Sequence, residues 1–257
     1  MTALTARRML VGTLLVLLSP AVAAAQDFIF TNSVELATAN VQSFTTTQTL
    51  LNTVQPNDAL DRRPKKAGIG ALFGGAKADG LKVRTAYAAS PAVSRRVKAD
   101  FLAWAGTVDR ADAGRLEQAM RRYDFVRIYG GIVGDFGLSP NDTGDSYTAY
   151  WILNWMMANR AGDPAGSEVM AVRSQVRQSL AGNKAFAGFS DGKRQEMAEV
   201  FIYNFVVQHG AYFGAVRRGD NGLVRRLSDA AQTRFAKEMG IDLRALTLTS
   251  QGFGKNG

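Results

Sequence analysis

The 257-residue chain contains no cysteine and one histidine, His209. Without cysteine there is no disulfide and no lipobox, so covalent cross-linking and an N-terminal lipid anchor are both excluded. One histidine excludes a multi-histidine metal site, and any Ser-His-Asp triad would have to use His209. Long apolar runs are missing as well. The longest, from Met9 to Leu18, falls short of the ~20 residues that cross a bilayer. Only six prolines interrupt the chain. Acid is the scarcer charge: the formal net charge is +9, which biases the partners towards anionic ones.

What is present begins with the first 25 residues. Arg7-Arg8 precedes the apolar run, Ser19-Pro20 ends it, and Ala21-Val-Ala-Ala-Ala25 follows with small residues at the positions a signal peptidase reads. The pattern predicts a signal peptide over 1–25 and an exported protein, periplasmic or extracellular, without a transmembrane anchor in the mature chain. Ala6 stands where a twin-arginine signal carries Ser or Thr, so general secretion is the expected route. Cleavage removes two arginines and no acid. In such a compartment a basic domain meets anionic envelope components or acidic proteins rather than nucleic acid.

Residues 26–80 are expected to form a poorly ordered arm. They are rich in Thr, Asn, Gln and Ser, then run through the basic turn Asp61-Arg-Arg-Pro-Lys-Lys66 into the tract Gly68-Ile-Gly-Ala-Leu-Phe-Gly-Gly75. No helical or strand period persists there, although Val34, Leu36 and Val41 leave room for short local structure. Gly70 to Lys77 imitates a phosphate loop, but Ala76 intervenes before the lysine and Ala78 follows it, so the match fails. With the basic residues before it, the tract 68–76 suits a peripheral membrane contact.

From residue 81 the 3.6-residue period dominates and predicts one compact all-α, multi-helix domain over 81–257. Helices are expected from Pro91 to about Gly106, from Ala111, over 124–136, and over 142–160, 166–182, 190–217 and 221–239. Gly137-Leu138 and Gly240-Ile241 have the form of left-handed helix ends. No useful alternation of strand type occurs. Two helices are apolar all round: 145–158, and the one containing Met197 to Val207. Both are expected to be buried centrally.

Four sets of residues are candidates for chemistry. Asn154 and Asn204 stand within apolar helix faces, where an unpartnered amide costs ~1–3 kcal/mol. They are expected either to bond neighbouring helices or, with Tyr150, Trp151 and Trp155, to line a pocket for a sugar or other small ligand. The doublets Arg217-Arg218 and Arg225-Arg226 flank the turn Gly219-Asp-Asn-Gly222 and suggest an anion site, weighed against a simple complement to a helix C-terminus. Glu196 and Glu199 share a helix face and offer a carboxylic acid to a cell-wall hydrolase, whereas Asp142 and Asp145 occupy cap positions. His209, beside Gly210, reads as a polar residue near a helix end or kink. No cofactor or metal site is expected.

The helix Asp145-Ser-Tyr-Thr-Ala-Tyr-Trp-Ile-Leu-Asn-Trp155 resembles a family of uncharacterised exported bacterial proteins. That family is marked by Ala-Tyr-Trp-x-x-x-Trp with an acid four residues before the alanine. The tail Gly240-Ile-Asp-Leu to Gly252-Phe253 resembles the family's ending, so the likeness covers roughly 90–253. The resemblance implies export and a helical domain and carries no activity. The expected function is accordingly a non-catalytic binding or interaction module for a protein or an anionic envelope component. The alternative is a glycan hydrolase with a glutamate general acid.

Overall fold

The computed structural model describes residues 34–39 and 83–255. The expected signal peptide, the basic turn and the glycine-rich tract lie outside the described residues. In chain order the helices are α1 (Val34–Thr38), α2 (Pro91–Val108), α3 (Arg110–Arg122), α4 (Phe125–Val133), α5 (Thr143–Asn159), α6 (Gly166–Ala181), α7 (Lys184–Ala187), α8 (Asp191–Arg217) and α9 (Asn221–Met239). Short 3-10 turns occupy Gly134–Phe136 and Leu243–Ala245. An antiparallel hairpin follows, β1 (Leu246–Thr249) with β2 (Gly252–Lys255).

The two helices without a polar face form the centre of this all-α fold. Every residue of α5 from Thr143 to Asn154 is buried, as is every residue of α8 from Met197 to Gln208. Their aromatic side chains interlock: Tyr147 stacks on Phe201 at 4.7 Å, and Tyr129 of α4 meets Phe205 edge-on at 5.2 Å. Helix α9 adds Phe235, whose ring lies 4.7 Å from Trp151 and 5.7 Å from Tyr150. Burying aromatic rings of this size supplies much of the drive for packing.

Helix ends follow from local chemistry. Asp109, Asp124, Asp142, Asn183, Ser190 and Asp220 each accept a backbone N–H from the first turn of the helix they precede. Helix α2 runs past Gly106, where the sequence suggested a stop. A mid-helix glycine costs about 1 kcal/mol, whereas Asp109 ends the helix by capping α3. At Gly240 (φ 66°) the chain turns left-handed, and Ile241 N–H donates to Phe235 O at 3.2 Å, as the Gly-Ile pair implied.

Two segments differ from expectation. The one-turn α7 and the terminal hairpin were not anticipated, because four residues are too few for either period to register. The hairpin is held from outside. Gln175 of α6 donates to Phe253 O at 3.0 Å and accepts from Phe253 N at 2.9 Å. Gly252, at φ 93°, permits this approach, since a Cβ there would meet Gln175 Oε1 at 2.3 Å. The tail thereby docks on the tryptophan helix: Phe253 lies 6.0 Å from both Trp151 and Trp155, and Trp155 Nε1 donates to Leu246 O at 3.0 Å. The two segments that carried the family resemblance thus pack against each other.

Within the expected arm, α1 is seated on the domain. Leu36 and Ala37 are buried in the core. Arg234 of α9 reaches Ala37 O at 3.3 Å and Ala39 O at 2.9 Å.

Candidate ligand-binding clefts

Asn154 is fully buried and has three partners. Its amide nitrogen donates to Tyr150 O at 2.8 Å and to Gln208 Oε1 at 3.0 Å, and its oxygen accepts from Arg234 Nη2 at 3.1 Å. The amide therefore joins α5, α8 and α9. Asn204 bonds back to Val200 O within its own helix at 2.8 Å. Tyr150, Trp151 and Asn204 are buried, and Trp155 is partly so, its indole N–H engaged with the tail. The structure sets Tyr150 beside Asn154 but joins Asn154 and Asn204 through no common hydrogen bond.

The carboxylates sit in structural bonds. Asp145 is fully buried, accepts from Ser139 N at 3.0 Å, and is gripped by Arg173 through Nε at 2.6 Å and Nη2 at 2.9 Å. The hydrogen bond to Asp145 holds the Arg173 guanidinium above its ordinary pKa. Arg177 bridges Asp142 at 2.8 Å and Asp145 at 3.2 Å. Glu199, 3% exposed, lies under α2 and accepts from Ser94 Oγ at 2.5 Å, Gln195 Nε2 at 2.8 Å and Tyr203 OH at 3.3 Å. Burial and then the Glu199 charge push the Tyr203 phenol well up. Glu196 pairs with Lys193 at 3.1 Å and Arg96 at 3.5 Å.

Gly188-Phe189-Ser190-Asp191-Gly192 has the Gly-x-Ser-x-Gly spacing of a nucleophile elbow, a signal legible in the sequence. The elbow needs a strand before its serine; here one-turn α7 precedes it. Ser190 Oγ instead accepts from Lys193 N at 3.3 Å as the α8 cap. His209 lies 19 residues along the same helix, ~28 Å away at 1.5 Å per residue, so the pair forms no triad. The imidazole lies between Phe205, on which it stacks at 5.5 Å, and the tilted ring of Phe213 at 4.6 Å, within the helix rather than at an end.

A cleft of about 410 Å³ opens at the C-terminal end of α5, lined by Ala158, Asn159, Arg160, Arg225, Ser228, Asp229 and Arg244. Arg244 is anchored: it donates to Ala158 O at 3.0 Å, Ser228 Oγ at 3.1 Å and Asp229 Oδ1 at 2.6 Å. The side chains of Arg160 and Arg225 make no hydrogen bond or ion pair among the described residues. The helix end does not require them, because the carbonyls of Met156, Met157 and Ala158 already accept from Ala161 N, Arg160 N and the Ser228–Arg244 pair. Of the four arginines in the expected anion site, Arg225 alone lines this cleft. Arg217, Arg218 and Arg226 are exposed outside it. Arg160 and Arg244 were not singled out in the sequence, being 65 and 19 residues from Arg225 and in no shared motif.

A second cleft of about 410 Å³ lies between α2, α3 and α4, with Lys98, Arg121, Arg122, Asp124 and Tyr203 in its wall. Its cations are engaged, Lys98 with Met120 O at 2.5 Å and Arg121 with Glu117 at 2.7 Å. Among the described residues, no helix is long and apolar enough to cross a membrane.

A family model spans nearly the whole chain, from residue 4 to residue 255. The protein belongs to DUF6683, a family of unknown function. The match extends beyond the expected 90–253 and takes in the N-terminal segment, in keeping with the seating of α1 on the domain. No curated protein and no solved structure matches the chain.

Proposed function

We propose that this protein is an exported, non-catalytic binding module that recognises an anionic envelope component through the arginine cleft at the end of α5. One observation carries the reading. Arg160 and Arg225 line a cleft whose one carboxylate, Asp229, is paired with Arg244, itself fixed by three hydrogen bonds. Guanidinium groups so placed suit phosphate or carboxylate, which accept paired N–H donors. Export is supported by the leader pattern of residues 1–25 and would be tested by N-terminal sequencing of the native protein, with Gln26 as the expected first residue.

Calorimetric titration with inorganic phosphate and with acetate tests the cleft. Saturable binding that weakens with salt and falls at least ~10-fold in Arg225→Ala agrees with the reading, that factor corresponding to about 1.4 kcal/mol. No binding, or binding indifferent to Arg225, overturns it. The hydrolase reading draws less support, because Glu199 is held under α2 by three donors and Glu196 by two cations. Release of soluble fragments from purified cell wall, abolished by Glu199→Gln, would restore it. Contact of the 68–76 tract with membranes is tested by vesicle flotation with and without residues 26–80.

A further inference from the structure

Across the α5–α6 connection from the arginine cleft lies an apolar one. Val133, Ile152, Met156, His209 and Phe213 form its wall, and the exposed Asp163 is its one carboxylate. The enclosed space is about 70 Å³, less than half of the ~150 Å³ cavity that accepts benzene. It has room for the last few carbons of a chain rather than for a ring. The only other polar side chain in the wall is His209, whose Nδ1 is buried without a hydrogen-bond partner. Burial, and then the charge of Arg217, push the imidazole down to about 3, so it is neutral near pH 7.

The two clefts are neighbours. Arg160 of one and Asp163 of the other are three residues apart, so their Cα atoms lie within ~11 Å. Arg160 also acts electrostatically on the Tyr212 phenol, whose ring meets Phe213 edge-on at 5.4 Å. We infer that the pair of clefts binds a single-chain anionic amphiphile, its carboxylate or phosphate head at Arg160 and Arg225 and its chain end beside His209.

This rests on the anion reading and adds the apolar half of the ligand. Asp163 favours this orientation, since its charge repels an anionic head from the mouth of the apolar cleft, whereas Asp229 in the arginine cleft is paired with Arg244. Among the described residues the exposed large apolar side chains, Val108, Met170 and Val216, are scattered along α2, α6 and α8, so the apolar contact for the ligand comes from the cleft rather than from a surface patch.

Calorimetry of the full chain with inorganic phosphate, decyl phosphate and decanol, each below its micellar concentration, separates the possibilities. The expected result is decyl phosphate at least ~10-fold tighter than phosphate, equivalent to about 1.4 kcal/mol, with decanol weaker than decyl phosphate. Across butyl, hexyl, octyl and decyl phosphates, affinity should rise and then level off once the chain end fills the cleft. Ala149→Leu, which fills the cleft, should return decyl phosphate to the phosphate value. The chain-length series needs no variant, so it decides the matter even if that one fails to fold. Equal affinity for phosphate and decyl phosphate overturns the amphiphile while leaving the anion site standing. Equal affinity for decanol and decyl phosphate shows that the head is not recognised, and also overturns it. Failure of phosphate and decyl phosphate alike removes the anion reading itself.

Discussion

Arg160 holds a left-handed conformation, φ 49° and ψ 41°, at the C-terminal cap of α5, where glycine is the usual occupant. A β-carbon in that region costs about 1–2 kcal/mol. Arg160→Gly should therefore stabilise the fold by roughly 1 kcal/mol, which for a chain of this size raises the unfolding midpoint by about 2–4 °C. The same change should weaken phosphate binding. Thermal unfolding and calorimetry on one sample check both; stability and binding falling together would show that Arg160 supports the fold instead.

His209 makes a separate prediction. Its imidazole is pushed down to about 3 in the folded state and returns to ~6.5 when the chain unfolds. Between those values the unfolded chain takes up a proton that the folded one refuses. The stability from a neutral His209 is complete above pH ~6.5 and is lost as pH falls towards 3. The slope is at most about 1.4 kcal/mol per pH unit. The charge of Arg217 deepens the shift. Urea midpoints at pH 7.5 and pH 5 should differ less in His209→Leu than in the parent, and equal differences would refute the assignment.

At the level of elements, the terminal hairpin is held by contacts with α5 and α6. Gly252→Ala would drive a β-carbon into Gln175 and force an unfavourable φ. Phe253 should then leave Trp151 and Trp155, red-shifting tryptophan emission while far-ultraviolet helicity persists. Unchanged emission would mean that the tail tolerates the clash. The same hairpin marks a boundary of what sequence reveals. The long helices were legible because a 3.6-residue stripe repeats over several turns, and Gly240-Ile241 announces its own geometry. The four-residue strands depend on Gln175, 78 positions from Phe253, which no local pattern encodes. The arginine site was only partly legible for a related reason. Neighbours on a helix point ~100° apart, so the doublet Arg225-Arg226 cannot send both side chains into one cleft. Arg160 and Arg244, which line the cleft with Arg225, come from the end of α5 and the turn after α9. Asn154 was legible as a residue that needed partners, but not which partners it would find.

At the scale of the molecule, α1 shares the core of the helical domain through Leu36 and Ala37. Arg234 is 3% exposed and, among the described residues, bonds only neutral acceptors: Ala37 O, Ala39 O and Asn154 Oδ1. Deleting residues up to 82 would empty the seat of Leu36 and strip two carbonyls from a buried guanidinium. A loss of about 3–5 kcal/mol is expected, and Arg234→Met should recover part of it in the shortened chain. Denaturant titration measures both, and an unaltered midpoint after truncation would show α1 to be dispensable.

Arg234 stands 197 residues after Ala37, and this separation bears on the order of events during synthesis. The ribosome releases α1 long before the helix that receives it. The seat of the early segment is shared by α8 and α9 and is incomplete until the last long helix has emerged, so its closure waits for almost the whole chain. If the chain is exported as proposed, such late closure would keep the polypeptide open until transit is nearly complete.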